Sequence, residues 1–307
     1  MKITIVGSGN VGATTAFLTA QKGIGEVVLV DILEGIPQGK GLDILQACPV
    51  EGSGVPVHGT NRYEETADSD IIAITAGLAR KPGMSREDLL RENAKIIRSI
   101  VTEVMKYSKN PILIIVTNPL DIMTYYAWKI SGLSKERVMG QAGILDSARF
   151  KSFIAEKLDI SPLDISTMVL GGHGDTMVPL VRFTCVSGIP ITDFLDSKEI
   201  DSLVERTRNG GGEIVNLLKT GSAYYAPGSA TAQMIEAIAL NQKRVLPCSA
   251  YLDGKFGLKD IFIGVPVKLG KNGIEEVIEF KLSPEELNAL HASAQVYREG
   301  IKTVLSS

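Results

Sequence analysis

The chain has 307 residues, enough for one large or two ordinary domains, and its composition (44% hydrophobic, 22% charged) is that of a soluble globular protein. A formal net charge of -3 leaves no electrostatic footprint for nucleic acid or an anionic membrane surface. Three cysteines (Cys48, Cys185 and Cys248), odd in number and far apart, point to reduced thiols in a cytoplasm and not to a disulfide framework, and none has metal-ligand spacing.

The amino terminus, MKITIVGSGNVG, opens on a strand-like segment and lacks the apolar stretch and cleavage site of a signal peptide. No run reaches the roughly 18 apolar residues of a membrane span. Short β-branched runs at 3–6, 27–30, 71–74 and 112–116 have the length of strands buried on both faces. Helical patterns lie between them at 11–21, roughly 39–47 and 86–107, and this βαβ rhythm predicts a doubly wound parallel sheet. The second half reads as α+β. Helices are expected at 146–158, 198–219, 229–242 and 283–305, and strands at 167–170, 178–186, 261–267 and within 273–280. The expected division is residues 1–144 and 145–307, two domains packed tightly, since no linker, low-complexity tract or repeat marks the boundary.

GSGNVG at 7–12 fits G-x-G-x-x-G, a weak signal alone, but here a strand precedes it, a helix follows it, and Asp31 ends the next strand. Gly7 permits the tight turn, Gly9 admits a pyrophosphate to the backbone, and Gly12 lets helix and strand pack closely, as in a Rossmann dinucleotide site. The Asp31 carboxylate suits an adenosine ribose and repels a 2′-phosphate, and Ile32 and Leu33 supply no cation, so NAD is expected over NADP. VTNPLD at 116–121 places Asn118 at the carboxyl end of a strand, where open α/β sheets bind ligands, although an Asn-Pro turn is also a commonplace structural device.

Three further stretches admit two readings each. In GGHGD, His173 sits between glycines after an apolar strand; it is either a proton-exchange group or a satisfied structural histidine. His58 and His291 have structural or surface contexts. In ILDSARF, Asp146 and Arg149 share a helix face, either as a local ion pair or as a histidine partner and a carboxylate grip. In TAGLARKPGMSRED, Arg80, Lys81 and Arg86 surround Pro82-Gly83, either as a solvated turn or as a cationic lid.

Taken together, GSGNVG, VLVDI, TAGLARKPGMSRED, TNPLD, GILDSARF, GGHGD and RVLPC, in this order and spacing, resemble the malate/lactate dehydrogenase family across essentially the whole chain. The resemblance implies NAD as cofactor and hydride transfer between NAD and a 2-hydroxy acid. It implies His173 as proton donor and acceptor, Asp146 as its carboxylate partner and Arg149 as the substrate-carboxylate clamp. Arg86 would polarise the carbonyl, and Arg80 would take a second carboxylate, which favours the dicarboxylate (S)-malate. The expected cofactor-contacting set is Gly7, Gly9, Asn10, Val11, Gly12, Asp31, Asn93, Thr117 and Asn118, with Asn118 also touching substrate; no metal is expected. A homo-oligomer is implied, a tetramer before a dimer, with the segment GLDILQA and the C-terminal helix as candidate interfaces. Lactate as substrate is the nearest alternative, but an uncharged residue would then be expected at position 80. A distantly similar NAD-dependent glycosidase would need a metal site with no convincing Cys/His ligand set here, and a silent NAD-binding protein would keep five functional side chains without using them.

Overall fold

The computed structural model describes residues 1–78 and 85–305, with Arg86 described by its backbone alone. Strands β1 (Lys2–Val6), β2 (Glu26–Val30), β3 (Val57–Thr60), β4 (Ile71–Ile74), β5 (Ile112–Ile115) and β6 (Val138–Gly140) pair in parallel, in the spatial order β6-β5-β4-β1-β2-β3. The inner strands β4 and β5 read IIAI and ILII and are buried at every position, as a sheet covered on both faces requires. Helices α1 (Asn10–Gln21) and α2 (Ile36–Ala47) connect β1 to β2 and β2 to β3; α3 (Arg86–Tyr107) and α4 (Leu120–Ser131) follow β4 and β5. Because the strand order reverses between β1 and β4, right-handed crossovers put the two helix pairs on opposite faces. The reversal leaves a crevice at the carboxyl ends of β1 and β4, where the glycine loop lies.

The second half contributes α5 (Gly143–Leu158), the short strands β7 (Ile165–Ser166), β8 (Val169–Leu170), β9 (Val178–Pro179), β10 (Cys185–Val186) and β11 (Ile189–Pro190), then α6 (Ser197–Leu218) and α7 (Tyr225–Ala239). Strands β12 (Arg244–Asp253), β13 (Lys259–Gly270) and β14 (Gly273–Val277) precede α8 (Pro284–Leu305). One expected strand is shortened and another is subdivided. The run at 167–170 holds only β8, and that at 178–186 is β9 and β10 separated by a 3-10 turn at Val181–Phe183, where Pro179 offers no amide for a continuous ladder.

The long strand β12 carries Pro247 and does not read as a strand. Its partner β13 carries Pro266 directly opposite. Gly264, two residues before Pro266, hydrogen-bonds outward to Gly171, so the alternation puts both prolines at a pair whose amides would point away from each other, and the β12–β13 ladder loses nothing. Helix α4 is also not anticipated. It is buried from Leu120 to Ala127, so it shows no polar stripe.

β12–β14 extend the parallel sheet through an antiparallel bridge between Ser249 and Gly140, giving nine strands among the described residues. A side chain at Gly140 would stand 2.5 Å from Thr124 Oγ1 and 2.9 Å from Ser249 Cβ, so the junction needs a glycine. One apolar core runs from Ile3 through Phe262 to Val304, and a smaller one lies under α5 and α6 around Phe150, Ile154 and Ile191.

Candidate active site

The glycine loop has the geometry that a dinucleotide needs. Gly7 has φ +103°, and a Cβ on Gly12 would collide with the Gly7 carbonyl, so both positions exclude a side chain. A Cβ on Gly9 would meet nothing within 4 Å, which leaves the backbone approachable there. Gly9 caps α1 without a side-chain hydrogen bond, and the first amides of the helix, from Asn10 and Val11 onward, are left for an anion. Asp31 accepts from the amides of Ser8 at 2.6 Å and Leu33 at 3.1 Å, which fix its carboxylate beside the loop. These residues fit NAD. Lys40 Nζ donates to the Ser8 carbonyl at 2.7 Å, a cation that sequence distance from Asp31 conceals.

Asn93 and Thr117 connect the loops after β4 and β5. The Asn93 side chain accepts from Leu78 N at 2.7 Å and donates to the Asn118 carbonyl at 2.7 Å, and it is 0% exposed. Thr117 Oγ1 donates to the Ala76 carbonyl at 2.6 Å. Both therefore orient backbone at the crevice, whereas Asn118 itself is exposed.

The catalytic candidates converge from two elements. The Asp146 carboxylate, in the first turn of α5, is 1% exposed; its Oδ2 lies 2.9 Å from His173 Nδ1, and its Oδ1 accepts from Arg149 Nη1 at 3.3 Å. Burial opposes charge on the His173 ring, but the Asp146 charge and hydrogen bond outweigh it, with Arg149 opposing and Asp121 adding, so the ring is held above its ordinary pKa. Burial also lowers the Arg149 pKa, against the pull of Asp146, and Arg149 Nε is buried with no partner among the described residues. A buried guanidinium with an unpaired N–H is suited to an incoming carboxylate.

The backbone of His173 is held at its amide and its carbonyl, and that of Gly172 at its amide, by contacts that no sequence pattern reveals. The His173 amide donates to Asp121 Oδ2 at 2.8 Å, while Asp121 Oδ1 accepts from Ser249 Oγ at 2.6 Å. Tyr297 donates its hydroxyl to the His173 carbonyl at 3.2 Å, and Ser293 Oγ accepts from Gly172 N at 2.9 Å, both from α8. Burial pushes the Asp121 carboxyl up to about 6, against the pull of the Ser249 and His173 hydrogen bonds. Asp121 lies inside TNPLD, and that membership is its one available signal; Ser249, just beyond RVLPC, has none, and neither do Tyr297 and Ser293.

Arg80 and Lys81 lie outside the described residues. Arg86 is the first residue of α3, and its side chain also lies outside them. That helix begins with a capping box in which Ser85 Oγ accepts from Asp88 N and Asp88 Oδ2 accepts from Ser85 N, each at 3.0 Å.

Two family models match: the lactate/malate dehydrogenase NAD binding domain over residues 1–140, and the lactate/malate dehydrogenase alpha/beta C-terminal domain over residues 144–307. A malate dehydrogenase of Pelodictyon phaeoclathratiforme is 60% identical over 305 residues, covering 99% of this chain and 98% of the relative. One of Chlorobium limicola is 58% identical with the same coverage. Among solved structures, a malate dehydrogenase from Salinibacter ruber superposes with a TM-score of 0.96 at 50% identity, covering 100% of this chain and 98% of that one. A lactate dehydrogenase from Cryptosporidium parvum, complexed with lactic acid and β-nicotinamide adenine dinucleotide, also reaches 0.96, at 40% identity and the same coverage.

Proposed function

The chain belongs to the lactate/malate dehydrogenase family, and from that premise we infer that it is an NAD-dependent malate dehydrogenase, interconverting (S)-malate and oxaloacetate. The observation that carries the chemistry is Asp146 bridging His173 and Arg149: one buried carboxylate sets both a proton-exchanging ring and a guanidinium for a 2-hydroxy acid. Backbone similarity does not separate malate from lactate, since solved structures of both kinds superpose equally well. The full-length relatives at 56–60% identity, named malate dehydrogenase, supply that distinction.

Bound at the Gly7–Gly12 loop and Asp31, NAD supplies a hydride acceptor for the C2 hydrogen of malate. With Nδ1 engaged by Asp146, His173 presents Nε2 to the substrate hydroxyl and takes its proton during oxidation; in reduction the imidazolium returns it. Asp146 stabilises that imidazolium. Arg149 holds the carboxylate next to the reacting carbon. Arg80 is assigned to the distal carboxylate and Arg86 to the developing carbonyl oxygen. Asn118 borders substrate and nicotinamide, and the remaining cofactor contacts are those of Gly9, Asn10 and Val11, with Asn93 and Thr117 acting through backbone. A pyruvate-sized substrate would leave Arg80 desolvated and unpaired, at a cost of about 3–5 kcal/mol, or roughly 10²–10⁴ in discrimination.

We place the domain division at 1–144 and 145–307. A role in the tricarboxylic acid cycle, a cytoplasmic location and a homotetramer complete the proposal. The three free thiols accord with a reducing compartment, and no helix of the described residues is long and apolar enough to cross a membrane. The exposed Leu42 and Leu45 of α2, 55% and 40% accessible, support self-association; light scattering tests the tetramer.

The deciding experiment compares kcat/KM for oxaloacetate and pyruvate with NADH in the parent, Arg80→Gln and Arg86→Gln. The parent should strongly prefer oxaloacetate, Arg80→Gln should narrow or reverse that preference, and Arg86→Gln should slow both substrates. An unchanged ratio in Arg80→Gln would remove Arg80 from the substrate site.

A further inference from the structure

Helix α6 runs for 22 residues from a capping box at Asp196 and Glu199, yet its interior contains three consecutive glycines, Gly210, Gly211 and Gly212. Glycine is the poorest helix former after proline, so local propensity works against the helix at this point. The buried stripe of α6 is Ile200, Leu203, Thr207 and Gly210, which turns the first of the three toward α5.

The three positions have different surroundings. A Cβ on Gly210 would stand 3.2 Å from Arg149 Cδ, 3.6 Å from Nε and 3.6 Å from the Phe153 ring. One on Gly211 would stand 3.5 Å from Arg149 Nη2 and 3.8 Å from Nη1. One on Gly212 would meet nothing within 4 Å. Nη1 is committed to Asp146, and Nε is buried without a partner among the described residues. Nη2 makes no hydrogen bond among the described residues, so it is the nitrogen with N–H to offer a carboxylate, and the Gly211 backbone lies directly beside it.

We propose that Gly210 and Gly211 are positioning residues for substrate binding: their bare backbone forms the wall that sets the Arg149 guanidinium and keeps Nη2, the terminal nitrogen not engaged by Asp146, clear for a carboxylate. This rests on the reading of Arg149 as the carboxylate clamp. A methyl at 210 forces the arginine stem aside by a few tenths of an ångström, and a larger side chain at 211 occupies the approach to Nη2. Gly212 plays no part and serves as an internal control in the same helix.

The test measures KM and kcat for oxaloacetate, and NADH affinity by fluorescence titration, in Gly210→Ala, Gly211→Leu, Gly212→Leu and Arg149→Lys. Alanine and leucine both favour the helix more than glycine does, so loss of folding is not the expected failure. Gly211→Leu should raise KM about tenfold, and Gly210→Ala about threefold, with smaller changes in kcat and unchanged NADH affinity, since displacements well under 1 Å already weaken an oriented contact. Gly212→Leu should match the parent. An unchanged KM in Gly211→Leu, or an equal rise in Gly212→Leu, overturns the proposal. If Arg149→Lys raises KM while Gly211→Leu does not, only the glycine wall fails. If Arg149→Lys leaves KM unchanged, the clamp reading fails first.

Discussion

Asp146 and Asp121 both flank His173, yet their environments assign them different work. Asp146 bonds the ring, and Asp121 bonds the backbone amide from a fully buried position. Asp146→Asn removes the charge that holds the histidine above its ordinary pKa. Oxidation needs the neutral ring, so the acid limb of malate oxidation should move to lower pH. Reduction needs the imidazolium, so oxaloacetate turnover should begin to fall at lower pH than in the parent, with both rates reduced roughly 10²–10⁴-fold. Profiles of kcat/KM against pH test this, and an unmoved midpoint would show that Asp146 does not set the ring's proton affinity. Asp121 bears on stability. Its carboxyl rises from 3.8 unfolded to about 6 folded, so the folded state binds the extra proton. Stability from this group is therefore lost as pH rises from about 4 to about 6, by roughly 3 kcal/mol, and is level above that. Asp121→Asn should flatten that slope in urea titrations across this range; an unaltered slope would place the titration elsewhere.

Helix α3 shows how a helix start can bear on the proposed chemistry. Its capping box, built by Ser85 and Asp88, fixes the backbone at the point where the helix begins with Arg86. Ser85→Ala should cost about 1 kcal/mol of stability and should lower kcat for oxaloacetate and pyruvate alike. A full melt and steady-state rates check both; reduced stability with unchanged kcat would uncouple the cap from Arg86. At α4 and β12, burial on every side and paired prolines erase the local pattern. Both elements still serve the site, since Asp121 lies in the first turn of α4 and Ser249 lies in β12.

The two halves share a sheet and a core. β12 joins β6 at Gly140, the Ser249–Asp121 hydrogen bond crosses the junction, and residues from Ile3 to Val304 belong to one apolar cluster. Thermal unfolding should accordingly be one cooperative transition, with loss of NADH binding and loss of helical signal coinciding. Two separated transitions in calorimetry would show that residues 1–144 and 145–307 unfold independently.

Much of this protein is local in origin. The β-branched strands β1, β2, β4 and β5, the helices between them, the glycine loop and Asp31 are all legible in the chain, because each depends on near neighbours: period, caps and a strand–turn–helix of fixed length. The Asp146–Arg149 pair is legible as an i, i+3 spacing on one helix, but the alliance of His173 with Asp146 is not, since 27 positions separate the ring from the carboxylate. Their identification rested on family resemblance. The long-range supports, Asp121 with Ser249 across 128 positions and Tyr297 on His173 across 124, are products of packing alone. No periodicity encodes a hydrogen bond between elements whose contact is decided by how helices and strands close over a common core.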